Sequence, residues 1–378
     1  MTATARILDF LRDRKPEGPC LVVDLDVIAK NYRAFTRVMP ATRIFYAVKA
    51  NPAPEILQLL AKLGSCFDTA SVGEIELVLA AGATPDRISY GNTIKKERDI
   101  SSAHALGVAL FAVDSVEETE KVARAAPGAK VFCRILADGA GAEWPLSRKF
   151  GCDPSMAEDV LLRAHALGLH AYGISFHVGS QQTKLGAWDL ALGQSKAIFD
   201  ALQSRGVTLS MVNLGGGFPA KYLKPVPGTG QYANAIQAAL AKHFGNAIPE
   251  TIIEPGRGMV GNAGVIKAEV VLVSKKHAND NQRWVYLDIG KFGGLAETME
   301  EAIRYPLVTT KDKDAKGPCI VAGPTCDSAD VLYEKTPYNL PLTLTVGDEV
   351  LIESTGAYTT TYSTVAFNGF PPLQSYVI

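Results

Sequence analysis

The stretch RIFYAVKANPAPEILQLLAKLGSCFD, residues 43–68, reads as a strand, a helix and the start of a second strand. RIFYAVK (43–49) has the β-branched and aromatic character of a strand. Asn51-Pro52 ends it, because proline restricts the residue before it and lacks a backbone donor. APEILQLLAKLG (53–64) is helical in texture and finishes on Gly64, the residue type that accepts the left-handed turn after a helix. SCFD (65–68) resumes the strand pattern. Lys49 resists this reading, since burying an unpaired ammonium group in a strand is costly. It either snorkels from the strand end to solvent or is a nucleophile that must give up its proton.

The same unit repeats along the chain. Strand candidates follow at RISYG (87–91), VALFAVD (108–114), KVFCRI (130–135), HAYGISFHV (170–178), LSMVNLGGG (209–217) and ETIIEPG (250–256). The stretches between them read helically; SVGEIELVLAAGA opens on Ser71 with Glu74 three residues on, a capping box. Eight strands alternating with helices over roughly 210 residues predict a (β/α)8 barrel, whereas a doubly wound sheet shows fewer repeats. Barrel chemistry sits at the C-terminal strand ends. Those ends carry Lys49, Asp68, Asn92, Asp114, Arg134, His177, Gly215, Gly216, Gly217 and Glu254.

After Gly264 the texture changes to short strand-like runs separated by Gly, Pro and Asn turns, with one short helix expected at 297–304. The strand-like runs include LPLTLTVGDEVLIES and TTYSTVAFNGF, and CLVVDLD (20–26) is placed to return and pair with this region. The expected class is α/β plus all-β: residues 27–264 form the barrel, while 1–26 and 265–378 form a β-rich sandwich or barrel domain. The chain of 378 residues has 47% apolar and 20% charged residues and a net charge of −1, with no basic block or acidic tail. That composition argues against nucleic-acid and membrane partners and for a small-molecule function. Six scattered cysteines, without C-x-x-C pairs, give no support to a zinc site or a redox dithiol. The N-terminus reads as a short amphipathic helix rather than a signal peptide, and no run reaches a spanning length, so a soluble cytoplasmic protein is expected.

Several motifs carry candidate chemistry. NLGGGFP (213–219) sets three glycines after a strand, where backbone N–H groups can surround an anion; the ordinary alternative is a tight turn. The spacing is not that of a dinucleotide fold. IEPGRGMVG (253–261) offers Glu254 and Arg257, able to serve a bound molecule or to pair with each other. His177 and Ser180 lie in SFHVGSQ at a strand end, and Cys326 and Asp327 in AGPTCDSADVLYE, where a buried cysteine and an Asx turn are the plain readings. Together these features meet the needs of pyridoxal 5′-phosphate: a lysine for the Schiff base, glycines with Arg257 and Ser180 for the phosphate, and Glu254 for the pyridine nitrogen.

YAVKANP, FDTASVGE, FHVGSQ, LGGGFP, EPGR, GPTCDSAD and GAYT…FNGF resemble, in order and spacing, the fold-type III pyridoxal-phosphate decarboxylases of basic amino acids. The resemblance spans about residues 20 to 372, and ornithine decarboxylases and the bacterial lysine/ornithine decarboxylases are the nearest groups. It implies an alanine-racemase-like barrel with Lys49 bound to the cofactor. Asp68 and Glu74 organise the site, Arg134 supports the pyridine carboxylate, and His177 stacks on the ring. Ser180, Gly217, Arg257 and Tyr358 bind the phosphate. Cys326 and Asp327 enter from the partner subunit of a homodimer with shared sites, as proton donor and as acceptor of the distal ammonium, and Phe367 lines the same pocket. A second acid falls at Glu300 or Glu301 in ETMEEAIRYPL (297–307).

The implied activity is decarboxylation of L-ornithine to putrescine, with L-lysine to cadaverine as a second reaction, in polyamine biosynthesis; no metal is implied. The alternatives are a diaminopimelate or arginine decarboxylase of the same fold, or a non-catalytic antizyme-inhibitor-like binding protein. The diaminopimelate pattern has glutamate where this chain has Asp327. Racemases of this fold set an arginine at the pyridine nitrogen, against Glu254. Inhibitor-like proteins lose cofactor residues that are present here.

Overall fold

The computed structural model describes residues 3–144 and 149–378. Eight parallel strands close into a barrel: Thr42–Ala47, Cys66–Thr69, Ile88–Tyr90, Leu110–Val113, Lys130–Arg134, His170–Ser175, Met211–Asn213 and Glu250–Ile253. All eight expected strands are present, each trimmed at its C-terminal end or shifted by a residue. Closure joins the last strand to the first, with Thr251 opposite Thr42 and Ile253 opposite Ile44. Phe45, Cys66, Ala112, Phe132, Met211 and Ile252, from six of the strands, form one buried cluster. Each large apolar side chain buried this way contributes about 2 kcal/mol.

The first strand stops at Ala47, two residues before Lys49. Val48–Ala50 winds into a single 3-10 turn, held by the Tyr46 hydroxyl donating to the Asn51 carbonyl at 2.8 Å and by Asn51 Oδ1 accepting the Ala53 N–H at 3.2 Å. Lys49 is therefore exposed, and the question of a buried strand lysine disappears. The helix Pro54–Leu63 begins on a proline that needs no donor and ends on Gly64 at φ 93°. The expected cap at Ser71 forms: its hydroxyl accepts the Glu74 N–H at 3.2 Å, while Glu74 Oε2 accepts the Ala70 N–H at 2.7 Å.

The chain divides into two compact units. One comprises Ala29–Pro219 and Val226–Met259 and contains the barrel; the other comprises the N-terminal residues to Ile28, Ala220–Pro225 and Val260–Ile378. The second unit is built on an eight-stranded mixed sheet. Cys20–Val23 does pair within it, antiparallel to Gly264–Lys267 and parallel to Gln374–Val377. Three local expectations change. LPLTLTVG is strand only at Leu340 and Pro341, the end of Val331–Pro341, and the chain turns at Gly347 (φ 86°) before the strand Glu349–Glu353. TTYSTVAFNGF forms two 3-10 turns, Thr360–Tyr362 and Phe367–Gly369, because Ala366 and Asn368 take left-handed φ values that no strand accommodates. The short helix is a 3-10 segment, Ala296–Glu301, broken where Glu300 and Glu301 turn left-handed at 55° and 57°. No helix among the described residues is long and apolar enough to cross a membrane.

Gly173 shows how tightly the barrel is wound. A Cβ there would overlap the Met211 carbonyl oxygen on the neighbouring strand. Gly173→Ala is expected to destabilise the protein by about 3 kcal/mol through overpacking, seen as a lower midpoint in chemical denaturation.

Candidate active site

Five barrel strands deliver the polar groups. Asp68, on Cys66–Thr69, is buried; the Ser89 hydroxyl donates to its Oδ1 at 3.1 Å, and a Cβ on Gly91 would overlap that same oxygen. Burial first, and then the nearby Glu254 carboxylate, push the Asp68 carboxyl well above the usual range, although Lys49 pulls the other way. Burial also raises the Glu74 carboxyl, against the Ala70 N–H and Lys49. Arg134, at the end of Lys130–Arg134, is pulled down by burial and supported by Glu254, Asp68 and Asp114. Lys49, Asp68, Glu74, Arg134, His177 and Glu254 thus form one electrostatic neighbourhood.

His177 follows the strand His170–Ser175. Burial, with Arg134 and Lys49 adding to it, drives its pKa down to about 3, so the imidazole is neutral in the working range. Its Nδ1 accepts the Gly179 N–H at 3.0 Å, which leaves the proton on Nε2. A Cβ on Gly216 would come within 3.2 Å of that Nε2.

The glycine run is a cradle that side chains would fill. Gly215 and Gly217 have φ values of 67° and 99°. A Cβ on Gly215 would overlap the Phe176 carbonyl oxygen, one on Gly216 would sit 2.8 Å from the Glu254 carbonyl oxygen, and one on Gly217 would sit 2.6 Å from that of Gly179. Arg257 is buried, and its Nη2 donates to the Ser180 hydroxyl at 3.2 Å. Arg257 thus bonds Ser180, while Glu254 Oε1 accepts from the Asn213 amide. Glu254 N–H also donates to the Gly215 carbonyl at 2.9 Å.

Two strand-end residues are structural. Asp114 Oδ2 accepts the Gly151 N–H at 2.8 Å, and the Asn92 carbonyl accepts from Lys95 at 2.7 Å. Lys95 itself is buried, pairs with Glu118 at 3.0 Å, and is pushed down to about 8 by its burial. Nothing in its local sequence announced that burial.

The remaining expected residues lie in the second unit. Cys326 and Asp327 are both exposed, which removes the buried-cysteine reading for Cys326. Their loop is anchored by Asp330, buried, whose Oδ1 accepts the Lys291 N–H at 2.7 Å and whose Oδ2 accepts from the Thr325 hydroxyl at 2.7 Å. The Cys326 N–H donates to Asn368 Oδ1 at 2.7 Å, which brings the turn carrying Phe367 beside the thiol loop. Phe367 packs on Phe292 with ring centres 4.7 Å apart. Tyr358 holds a left-handed φ of 57° and packs on Tyr362. Glu301 is occupied: Oε1 accepts the Glu334 and Lys335 N–H groups at 2.7 and 2.6 Å, and Oε2 meets Arg304 at 2.5 Å. Glu300 is exposed and ion-paired with Lys335. Asn213 and Asn368 escaped the sequence reading, although each lies within a motif that it singled out.

A lysine, a neutral ring, an anion cradle and a carboxylate thus gather at one barrel mouth. Residues 25–261 match the family model described as the pyridoxal-binding domain of pyridoxal-dependent decarboxylases. The chain belongs to the pyridoxal-dependent decarboxylases. It is 38% identical to the lysine/ornithine decarboxylase of Selenomonas ruminantium over 93% of this chain and 87% of that one. Among solved structures, it resembles the lysine/ornithine decarboxylase of Vibrio vulnificus complexed with cadaverine, at a TM-score of 0.88, 32% identity and 99% coverage of both chains. The arginine decarboxylase of Paramecium bursaria Chlorella virus gives a TM-score of 0.88 at 28% identity, covering 99% of this chain and 100% of that one. These relatives share the fold-type III architecture, and the chain is a carboxy-lyase acting on basic amino acids with pyridoxal 5′-phosphate as cofactor.

The residues present fit that cofactor. The space that Cβ atoms at Gly215, Gly216 and Gly217 would occupy is already bounded by backbone, so only glycine fits the cradle; Gly215 N–H is held by Asn213 Oδ1, and an anion would be met by N–H groups farther along the run. Arg257 supplies the matching cation.

Because His177 titrates near 3 when folded and near 6.5 when unfolded, the unfolded chain binds the extra proton between those values. Its contribution to stability is present above pH 6.5 and is lost as pH falls toward 3. The denaturation midpoint of His177→Phe is expected to fall less over that window than the parent's; parallel curves would contradict the neutral imidazole.

Proposed function

We propose that this decarboxylase converts L-ornithine to putrescine and, as a second reaction, L-lysine to cadaverine, in polyamine biosynthesis, as a homodimer with shared sites. The observation that carries the reading is the exposed Cys326–Asp327 pair, held on a loop fixed by the buried carboxylate of Asp330. It sets a thiol proton donor one residue from an acid suited to a distal ammonium group. The similarity to the Selenomonas lysine/ornithine decarboxylase supports the same substrates.

In this reading Lys49 would hold the cofactor through Nζ. Gly215, Gly216, Gly217, Ser180, Arg257 and Tyr358 would hold its phosphate, and Glu254 would face its ring nitrogen. Pyridoxal 5′-phosphate bound there supplies an electron sink for the pair left on the substrate's α-carbon when carbon dioxide departs. His177, neutral with its proton on Nε2, would lie against the ring without adding a third positive charge beside Arg134 and Lys49. Asp68, held toward its protonated form, limits the negative charge around Glu254. Glu74 combines its capping bond with a favourable field for Lys49.

The Cys326 thiol of the partner subunit would return a proton to the α-carbon, while Asp327 orients the substrate by its far amine and Phe367 packs along its methylenes. Of the two glutamates, Glu300 offers the exposed carboxylate as the second acid, because Glu301 is engaged by Arg304 and backbone N–H groups. The likeness to the Chlorella virus arginine decarboxylase makes arginine the second reading.

The test is turnover of the purified holoenzyme with ornithine, lysine, arginine and meso-diaminopimelate. Ornithine and lysine are expected to lead; activity on arginine or diaminopimelate alone would displace the proposal. Site sharing is checked with heterodimers of Lys49→Ala and Cys326→Ala chains. Each homodimer should be strongly impaired, while mixed dimers recover up to one intact site of the two; verified heterodimers without rescue would remove the shared-site claim.

A further inference from the structure

Asn213 ends the strand Met211–Asn213 and is 1% exposed. Its side chain makes two bonds of opposite sense: Oδ1 accepts the Gly215 N–H at 3.0 Å, and Nδ2 donates to Glu254 Oε1. These partners fix which way the amide points, since the flipped amide would set oxygen against the carboxylate and NH2 against N–H. The Gly215 carbonyl in turn accepts the Glu254 N–H. One buried side chain thus ties the first glycine of the cradle to the acid on the next strand.

The bond to Gly215 alone is an ordinary Asx turn, which an aspartate makes as well. The bond to Glu254 is not needed for the turn and requires an amide donor. Glu254 shares its surroundings with Asp68 and Arg134, and these in turn with Lys49, Glu74, Asp114 and His177. In that field a carboxylate without a directional donor is free to rotate toward either cation.

We propose that Asn213 is a positioning residue for the reaction, orienting the Glu254 carboxylate toward the cofactor and keeping that acid in register with the glycine cradle. The proposal rests on Glu254 facing the cofactor's ring nitrogen. Its consequence is that a change at a residue without cofactor contact alters both the cofactor's affinity and its protonation. A hydrogen bond to a charged group is strong enough for its loss to produce effects of about tenfold to a hundredfold.

Asn213→Asp separates the two bonds. It retains the turn acceptor for Gly215 but sets a second carboxylate against Glu254, so that the pair shares a proton. The variant is expected to keep the parent's circular dichroism and to bind pyridoxal 5′-phosphate at least tenfold more weakly when added to apoprotein. The bound cofactor's visible absorbance should acquire a dependence on pH absent from the parent, and kcat should fall at neutral pH and recover as pH rises, with KM nearly unchanged. Asn213→Ser, uncharged and still able to cap the turn, should weaken cofactor binding without the new pH dependence. It also provides the test if the aspartate variant does not fold. Parent-like affinity and absorbance in whichever of these variants folds would overturn the proposal. Glu254→Gln distinguishes the underlying reading: if it leaves absorbance and kcat unchanged, Glu254 does not face the ring, and the inference about Asn213 falls with it. If Glu254→Gln is impaired while the Asn213 variants match the parent, only the role of Asn213 is removed.

Discussion

Two carboxylates, Asp68 and Glu254, converge at the end of a closed barrel, and the surrounding groups answer that conflict. Like charges in a poorly solvated site cannot both ionise without strong compensation. Asp68 yields, held toward its neutral form by burial and by Glu254. Arg134 and Lys49 supply positive charge, and His177 stays uncharged because its poorly solvated setting, and then both cations, oppose a further charge. Barrel closure makes the encounter unavoidable. The strand bearing Asp68 and the one leading to Glu254 flank the strand Thr42–Ala47, so their ends meet although the residues lie far apart in the chain.

That arrangement gives each local oddity a cause. The strand Thr42–Ala47 stops before Lys49, and the 3-10 turn turns its side chain outward instead of into the sheet. The glycines are a run of three because each faces a different wall of backbone: Phe176, Glu254 and Gly179. In the second unit the constraint is positional rather than electrostatic. The Cys326 loop carries its exposed groups only because Asp330, buried beneath it, satisfies N–H and hydroxyl donors from two segments.

The barrel was legible in the sequence because its strands are short apolar runs separated by well-marked helix caps, and one local pattern repeats eight times. Lys49, Glu254 and the glycines could be singled out because polar residues at strand ends have few packing reasons to be there. The second unit was harder to read. TTYSTVAFNGF has the composition of a strand, and its left-handed Ala366 and Asn368 are imposed by contacts such as the bond from Cys326 N–H to Asn368, which no local pattern encodes. Glu300 and Glu301 are adjacent and chemically alike. What separates them is the Glu334–Lys335 backbone, which becomes a neighbour of Glu301 only in the folded sheet. Asn213 was hidden for a different reason: next to three glycines it resembles a turn residue, and its bond to Glu254 spans two strands.

The contact between Gly91 and Asp68 has a bearing on how such a site can change over generations. Any side chain at position 91 would enter the volume of the Asp68 carboxylate, so the two positions are not independent characters. A lineage that gains a side chain at 91 must first shorten residue 68, whereas the reverse order passes through a form with no room for its own acid. Viable histories are thus ordered, and the hydrogen atom that serves as Gly91's side chain is as much a part of the site's inheritance as the carboxyl group it accommodates.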